Sequence, residues 1–193
     1  MKWNIAATAC CVLLLVIDVA LLRQNRQLKA QLSAPPAGLE VQAGTQVPDL
    51  EGFDVAGKPL SVRYGQDSRK VLLLVFSPSC KFCGENWPRW EALLAGFDRQ
   101  VVRPVGVDIS STASQAFLAE HHLTELPVFL QLQPHAIVRY RMQITPQTIL
   151  VDGKGRVEKV WSGVLDDSSL AEVKNLVRSG AQAGTLSKHR IDL

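Results

Sequence analysis

The clearest indication of the fold is Val71-Leu-Leu-Leu-Val-Phe-Ser-Pro-Ser-Cys80-Lys-Phe-Cys83. Its first part, residues 71–76, is a continuous apolar run, which predicts a strand buried on both faces. Ser77-Pro78 ends the run, and residues 85–97 then carry apolar side chains at helical spacing. The two cysteines therefore lie where a strand gives way to a helix.

Strand and helix patterns alternate through the rest of the chain. A second strand is predicted over residues 101–109, and Ser110-Ser111-Thr112 is predicted to cap a helix that runs to His122. The remaining predicted elements are a short helix at 135–141 within an insert, strands at 148–151 and 157–161 around a glycine turn, and a closing helix at 166–177. This order predicts an α/β domain with parallel strands first and an antiparallel pair last.

Cys80 and Cys83 carry the candidate chemistry. At this spacing on the first turn of a helix, the two sulfur atoms lie on one face and can form a disulfide. The helix N-terminus and the neighbouring Lys81 both favour the thiolate of Cys80. We therefore predict that Cys80 is the attacking thiol and Cys83 the resolving thiol, with Phe82 completing the motif between them.

Three other uses of the cysteine pair compete with this one. A zinc site needs further ligands, but His121 and His122 are adjacent on one predicted helix while His135 and His189 stand alone, so no metal is expected. A structural disulfide around so short a loop would stabilise the fold little. A peroxidatic cysteine stays open, because the sequence Phe-Ser-Pro-Ser-Cys80 is loosely similar to peroxidase active sites.

The charge distribution argues against nucleic acid as a partner. The 193 residues include 21 Lys and Arg against 18 Asp and Glu, which gives a net charge of +3. Residues 1–34 alone account for that excess, and the rest of the chain is neutral overall. Because a neutral body has no field to hold a polyanion, nucleic-acid binding is not expected.

The N-terminal residues 3–22 are almost entirely apolar and would span about 30 Å as a helix, the thickness of a bilayer core. An uncleaved anchor is favoured over a signal peptide, since no small-residue cleavage site follows directly. The span is followed by Arg23, Arg26 and Lys29, and by the positive-inside rule these charges favour a cytosolic domain. The dithiol chemistry of Cys80 and Cys83 fits the outside better, so the orientation stays open. The predicted organisation is a membrane anchor helix and stalk at 1–34, a linker at 35–43, the α/β domain at 44–180 and a flexible tail at 181–193.

The cysteine pair and a set of further motifs together resemble a known family. These motifs are Phe76-x-x-x-Cys80-x-x-Cys83, Pro88, the step Thr145-Pro146, and Ile149-Leu-Val-Asp-Gly-Lys-Gly-Arg-Val157 followed by Gly163. They are similar to the membrane-anchored thioredoxin-like proteins of the TlpA/ResA type over residues 44–178. The connector at 21–26 is more weakly similar to the methylamine-utilisation disulfide isomerase MauD.

The resemblance implies a thioredoxin fold, a central mixed sheet flanked by helices, with an N-terminal transmembrane helix. It implies thiol-disulfide exchange with extracytoplasmic proteins, without an organic cofactor, by a single-pass protein of the inner (cytoplasmic) membrane with a periplasmic domain. Pro146 would be a cis-proline beside the disulfide, and Thr145 would offer its backbone to a substrate strand. A reductant of this type would take electrons from a transmembrane donor and act in cytochrome c maturation.

Three positions depart from the family pattern. Leu74 stands where thioredoxin has a buried acid, Ser79 replaces an aromatic residue before the first cysteine, and Asn86 stands where a glutamate is common. The neighbouring Glu85 lies about 100° round the helix from Asn86. Because a carboxylate that could deprotonate Cys83 is missing from both expected positions, the resolving step would be slow or would use water or Glu85.

The leading hypothesis is a membrane-anchored thiol-disulfide oxidoreductase that acts as a reductant through Cys80 and Cys83. Two alternatives stay open. One is a thiol peroxidase on the same fold, in which Cys80 cleaves a hydroperoxide and Cys83 resolves the product. The other is a redox-silent anchored binding module. The sequence supports this alternative least, because a binding module does not need a vicinal dithiol at the start of a helix.

Overall fold

The computed structural model describes residues 12–26 and 38–188. It divides into two compact units, one up to Pro35 and one from Pro36 onward. In the first unit, residues 12–26 form helix α1, on which apolar side chains such as Leu13 are exposed. Within the two described ranges, no helix combines the length and the apolar character that a membrane crossing needs. Residues 3–11 of the predicted span lie outside the described residues.

The second unit alternates strands and helices. Its elements are β1 (Leu50–Phe53), β2 (Pro59–Val62), β3 (Lys70–Phe76), α2 (Lys81–Gly96), β4 (Val102–Asp108), α3 (Gln115–Glu120), β5 (Val128–Phe129), β6 (Gln131–Leu132), α4 (Pro134–Tyr140), β7 (Gln147–Val151), β8 (Val157–Ser162) and α5 (Asp167–Lys188). The main sheet has five strands in the order β5-β4-β3-β7-β8. A second, three-stranded sheet has the order β2-β1-β6.

The main sheet is mixed, and its centre is β3. This strand pairs in parallel with β4 and antiparallel with β7, and β7 pairs antiparallel with β8. In the antiparallel pair, Val75 near the end of β3 lies opposite Gln147 at the start of β7. The loop that leaves β3 and the loop that enters β7 therefore meet at the same edge of the sheet.

Side chains of β3 alternate between two cores, one on each face of the sheet. Leu72, Leu74 and Phe76 belong to the core that also contains buried residues of α2 and α5. Val71, Leu73 and Val75 belong to the opposite core, which includes residues of α4. A strand covered on both faces has no solvent-facing position, and this explains the continuous apolar run in the sequence.

The main predicted elements are confirmed to within a few residues. The structure has the strands predicted at 71–76, 101–109, 148–151 and 157–161 and the helices predicted at 85–97 and 135–141. The turn between β7 and β8 is also confirmed, with Gly155 at φ +81° and the Asp152 carboxylate accepting the Lys154 N–H at 2.8 Å. The short strands β1, β2, β5 and β6 were not predicted.

The predicted cap of α3 is wrong by one turn. Ser114 caps this helix, because its side chain accepts the N–H of Phe117 at 3.1 Å. The predicted capping residues, Ser110 to Thr112, instead form the turn that follows β4. Their side chains and N–H groups bind the carboxylate of Asp108, which satisfies the same hydrogen-bonding capacity that a helix cap would use.

The closing helix is longer than predicted. It begins at Asp167, close to the predicted start, but continues to Lys188 instead of ending at Val177. The structure thus places residues 181–188, predicted as part of a flexible tail, in α5, where Ala181 and Ala183 favour helix. Residues 189–193 of that tail lie outside the described residues.

Candidate active site

Cys80 and Cys83 lie at the start of α2, directly after the loop that leaves β3. Cys80 is the N-cap residue, with an extended backbone (φ −81°, ψ 113°), and its side chain makes no capping hydrogen bond. Its carbonyl oxygen accepts the N–H groups of Cys83 at 3.0 Å and Gly84 at 3.2 Å. Both cysteines are free thiols, Cys80 partly exposed and Cys83 only 1% exposed.

The loop that enters β7 lies against the Cys80 sulfur. The Thr145–Pro146 peptide bond is cis, as the resemblance implied. The Cys80 thiol donates to the carbonyl oxygen of Thr145, with 3.5 Å between the two atoms. The N–H of Gly163 donates to the Pro146 carbonyl at 2.8 Å, which fixes this loop to the end of β8. The fold therefore brings together two motifs that are 65 residues apart in the chain.

The surroundings of the Cys80 sulfur favour its thiolate. Partial burial acts to raise the pKa of Cys80, but side-chain hydrogen bonds with Thr145 and Cys83 and the backbone N–H groups of Cys83 and Phe82 outweigh it. Together they hold the pKa of Cys80 below that of an ordinary cysteine. Lys81, the predicted cation, is exposed on the first turn, and its effect on Cys80 stays a prediction.

Cys83 has the opposite surroundings. Burial raises its pKa to about 12, and the neighbouring Cys80 acts in the same direction. The thiol belongs to the apolar core that contains Trp87 and Leu74, the residue at the position of the thioredoxin acid. Cys83 is therefore protonated at neutral pH, whereas the lowered pKa of Cys80 favours its reactive thiolate.

Asn86 lies one helical turn after Cys83 and is completely buried. Its Oδ1 atom accepts the N–H of Leu165, in the loop between β8 and α5, at 2.9 Å. Its Nδ2 atom is also buried and has no hydrogen-bond partner among the residues that the structure describes. Glu85, the other predicted candidate to assist Cys83, is exposed. Of the two neighbours, Asn86 is thus the one in the buried interior with the thiol.

An exposed apolar residue stands between the two cysteines. Phe82 is 57% exposed, although aromatic side chains of this size are usually buried. Val164, which is 37% exposed, lies in the loop that Asn86 holds through Leu165. Sequence reasoning missed Val164, because its loop is tied to α2 only by tertiary contacts.

A chain of hydroxyl groups supports the loop that enters α2, and sequence reasoning missed it. The Ser77 hydroxyl lies 3.1 Å from that of Ser79 and donates to the Ser110 Oγ at 3.1 Å. Ser110 in turn donates to the carboxylate of Asp108 at 2.6 Å, and the same carboxylate accepts the N–H of Thr112 at 2.7 Å. The strand topology could have indicated this chain, because the loops that follow the neighbouring parallel strands β3 and β4 lie at the same edge of the sheet.

Aromatic rings pack behind Cys83. Trp87 stacks on the imidazole ring of His121, with 4.3 Å between ring centroids and 15° between planes, and Phe117 packs against both rings. The His121 Nδ1 atom lies 3.9 Å from the Glu91 carboxylate. His121 therefore belongs to an aromatic cluster between α2 and the end of α3.

Comparison with known proteins identifies the family. The sequence profile of the AhpC/TSA family matches residues 43–160, more than half of the chain. The chain belongs to the AhpC/TSA family. The matched range contains both cysteines and the cis-proline loop.

Two relatives carry the name thiol-disulfide oxidoreductase ResA. The protein from Bacillus subtilis is 25% identical over 151 residues, which are 77% of this chain and 83% of the relative. The protein from Halalkalibacterium halodurans is 23% identical over 142 residues, 72% of this chain and 80% of the relative. These relatives confirm the resemblance to the TlpA/ResA type.

Solved structures confirm the fold. The thioredoxin domain of a thiol-disulfide oxidoreductase from Bacteroides vulgatus is similar with a TM-score of 0.56 at 19% identity. The match covers 72% of this chain and 99% of that domain. The predicted thioredoxin fold, with a mixed sheet and flanking helices, is therefore confirmed.

Proposed function

We propose that this protein is a membrane-anchored reductant that transfers electrons from the Cys80–Cys83 dithiol to disulfides of extracytoplasmic proteins. The enzyme class, a thiol-disulfide oxidoreductase of the thioredoxin-like type, is the one named for both curated relatives and for the matching thioredoxin domain. The observation that carries the proposal is the contrast between two thiols on one helical turn. One is partly exposed with a lowered pKa, and the other is buried with a raised pKa.

In the first step, the Cys80 thiolate attacks one sulfur of a substrate disulfide. A bond forms between that sulfur and the Cys80 Sγ, the substrate disulfide breaks, and the second substrate sulfur leaves as a thiolate that takes a proton from water. The lowered pKa of Cys80 raises the fraction of the attacking form. Because Cys83 is buried, Cys80 is the thiol that an incoming protein meets.

In the second step, Cys83 completes the reduction. Its thiol loses a proton to solvent, and the thiolate attacks the Cys80 Sγ. The Cys80–Cys83 bond forms as the mixed disulfide breaks, and the substrate sulfur that was bonded to Cys80 leaves as a thiolate that takes a proton from water. The substrate has gained two electrons, and the protein now holds a disulfide that a transmembrane electron donor would reduce again.

The loop at Thr145 and Pro146 would hold the substrate during both steps. The Thr145 carbonyl already contacts the Cys80 sulfur, and a substrate strand could pair with this backbone by strand addition. The exposed ring of Phe82 offers apolar contact beside it. A role in cytochrome c maturation is proposed on the resemblance of the motifs to TlpA/ResA-type proteins.

Reduction of insulin disulfides tests the exchange activity. With dithiothreitol as the electron source, the wild-type protein should accelerate precipitation of the freed insulin chain. Cys80→Ser should abolish the acceleration, while Cys83→Ser should slow turnover to the rate at which dithiothreitol itself resolves the mixed disulfide on Cys80. Wild-type rates in Cys80→Ser would contradict the proposal.

The same variants separate the two alternatives. A thiol peroxidase would consume hydrogen peroxide in a Cys80-dependent reaction that outpaces the reduction of insulin. A redox-silent binding module would keep its cellular role in Cys80→Ser/Cys83→Ser. We expect little peroxide turnover by the wild-type protein and loss of the cellular role in the double variant.

The membrane anchor and the outside location are part of the proposal and need their own test. The apolar sequence over residues 3–22 supports the anchor, and dithiol chemistry of this type supports an extracytoplasmic domain. Intact spheroplasts would be treated with a membrane-impermeant maleimide, and modification of Cys80 would be read by mass spectrometry. Labelling without prior reduction indicates an outside, reduced dithiol. Labelling only after an impermeant reductant indicates an outside oxidase or isomerase, and labelling only after lysis would contradict the location.

A further inference from the structure

The starting observation is a buried amide with an unused donor. Asn86 is completely buried, and its Nδ2 atom has no hydrogen-bond partner among the described residues. A buried amide group without a partner is unfavourable, and native structures contain few of them. Asn86 therefore carries a donor that the described residues leave unused.

The orientation of the amide is fixed by its other end. The N–H of Leu165 can only donate, so the atom that it meets at 2.9 Å must be the Asn86 oxygen. Rotating the amide by 180° would set two donors against each other. The oxygen is therefore committed to the loop before α5, and both hydrogens of Nδ2 are available on the other side.

The position of Asn86 on α2 places its side chain on the same helix face as the Cys83 sulfur. Residues three apart on a helix lie on the same face, and helical side chains lean towards the N-terminal turn. Cys83 is three residues before Asn86 on α2, and both side chains are buried. The turn that the Asn86 side chain covers is thus the turn that carries the resolving thiol.

We infer that Asn86 is a positioning residue that donates a hydrogen bond from Nδ2 to the Cys83 thiolate while that thiolate attacks Cys80. This inference rests on the proposed function and adds to it a residue for the second step. In the resting protein Cys83 is a thiol, and its sulfur is a weak acceptor, which matches an unused donor. When Cys83 ionises, the sulfur becomes a strong acceptor for the same donor.

Asn86 does not take the proton. The Cys83 proton leaves to solvent, and an amide has no basic site to receive it. What the amide supplies is stabilisation of the anion in the core, where burial otherwise raises the pKa of Cys83. The bond changes are those of the second step: the Cys80–Cys83 bond forms, and the substrate sulfur leaves.

Other groups around Cys83 must be kept constant in a test. Cys80 is the titratable group that acts on its pKa, and Ser77 and Thr145 act through hydrogen bonds. Lys81 and Glu85 on α2 are exposed. His121, whose Nδ1 atom lies 3.9 Å from the Glu91 carboxylate, stacks on Trp87. The Asn86 variants keep all of these groups, so a difference between their pH profiles and that of the wild-type protein is due to the loss of the amide.

The two steps can be timed separately with the chromogenic disulfide 5,5′-dithiobis(2-nitrobenzoate). The full chain in detergent, with Cys10→Ala and Cys11→Ala, retains two of its four cysteines. Attack by Cys80 releases one thionitrobenzoate in a phase that depends on reagent concentration. Attack by Cys83 releases the second in a concentration-independent phase, which Cys83→Ala should remove.

The decisive variants are Asn86→Ala and Asn86→Leu, the latter filling the space without a donor. We expect both to leave the first phase unchanged. The second phase should slow about threefold to fifteenfold at neutral pH, because a hydrogen bond to an anion shifts its pKa by about one to two units and nucleophilicity compensates in part. The pH profile of the second phase should shift to higher pH.

Thr148→Val is the matched control. It removes the acceptor of the Trp90 Nε1–H on the same helix, just as the Asn86 variants remove the acceptor of the Leu165 N–H. Each variant thus leaves one buried N–H unpaired, but Thr148→Val keeps the amide near Cys83. We expect both phases to keep their wild-type rates and pH profiles.

The outcomes separate this inference from the proposed function. An unchanged second phase in Asn86→Ala and Asn86→Leu would overturn the role of Asn86, as would equal slowing in Thr148→Val. A wild-type protein that shows no second phase at all would overturn the exchange mechanism itself. Slowing confined to the Asn86 variants, with a shifted pH profile, supports both.

Discussion

At the scale of single residues, Cys80 and Cys83 show how one helical turn creates two different thiols. Both were predicted from their spacing at a strand-to-helix junction, because that pattern is local in sequence. Thr145 was predicted only through the resemblance, and the structure places its carbonyl oxygen against the Cys80 sulfur. Asn86 stands where the family pattern has a carboxylate, and only the fold shows that its side chain binds the loop before α5. The sequence could point to Asn86 only as a missing carboxylate, since its burial and its unused donor follow from the fold.

The first prediction concerns the reactivity of the two thiols with pH. The rate of Cys80 alkylation by iodoacetamide should rise with an inflection below about 8.5, the pKa of an unperturbed cysteine. Cys83→Ala should move this inflection upward, because it removes a hydrogen bond that lowers the pKa of Cys80. Peptide mapping by mass spectrometry checks the site of reaction. A Cys80 inflection at or above the ordinary value in the wild-type protein would contradict the account.

The opposite pKa shifts also have opposite effects on the stability of the reduced protein. The lowered pKa of Cys80 adds stability that is present at alkaline pH and lost as the pH falls through the folded-state value. The stability linked to the raised pKa of Cys83 is fully present below the unfolded-state pKa, and it is lost as the pH rises from there to the folded-state value of about 12. The site is thus most favourable to the fold when Cys80 alone is ionised.

At the scale of elements, α2 is held to the central sheet by a polar contact as well as by apolar packing. The Trp90 Nε1–H donates to the Thr148 hydroxyl of β7 at 2.9 Å, and both residues are buried. The Trp90 ring also packs at 4.9 Å from Trp87, just after the cysteine motif. This contact anchors the body of the helix while its first turn carries the chemistry.

The second prediction follows from this contact. Thr148→Val keeps the shape of the side chain but leaves the buried Trp90 N–H unpaired. We expect the free energy of unfolding to fall by about 1–3 kcal/mol, measured by urea denaturation, while insulin reduction is retained. Loss of exchange activity without loss of stability would contradict the assignment of Thr148 to the support of α2.

Elements with a strong local signal were predicted, and those without one were missed. β3 is a continuous apolar run after Lys70, β4 is seven residues long with three valines, and α2 has a clear helical period. β5 and β6 have two residues each, too short for any periodicity, and β1 with β2 forms an edge sheet that mixes exposed and buried positions. The cap of α3 was misplaced because several consecutive hydroxyl residues compete for that role.

At the scale of the whole molecule, two tyrosines join separate parts of the second unit. The Tyr140 hydroxyl of α4 donates to the Pro48 carbonyl at 2.7 Å, so the Tyr64 hydroxyl must be the donor in its 2.6 Å contact with Tyr140. This chain connects α4, the segment before β1 and the segment between β2 and β3. Burial raises the pKa of Tyr64 to about 12 and also raises that of Tyr140.

The third prediction is a loss of stability in alkaline solution. A tyrosine in the unfolded chain ionises near pH 10, whereas these two keep their protons in the folded protein, so the folded state binds more protons and stability falls as the pH rises from about 10 to about 12. Urea denaturation across this range should show a steeper fall for the wild-type protein than for Tyr64→Phe/Tyr140→Phe. Equal slopes would contradict the buried tyrosine pair as the cause.

Trapping the intermediate between Cys80 and a substrate tests the proposed exchange mechanism. The Cys83→Ala protein would be mixed with a peptide that contains a disulfide, quenched with acid and mapped by mass spectrometry. We predict a mixed disulfide on Cys80 that persists, whereas the wild-type protein releases the reduced peptide and ends with a Cys80–Cys83 disulfide. The matched Cys80→Ala protein should form no adduct on the same timescale. An adduct on Cys83 in Cys80→Ala at a similar rate, or no adduct on Cys80 in Cys83→Ala, would contradict the account.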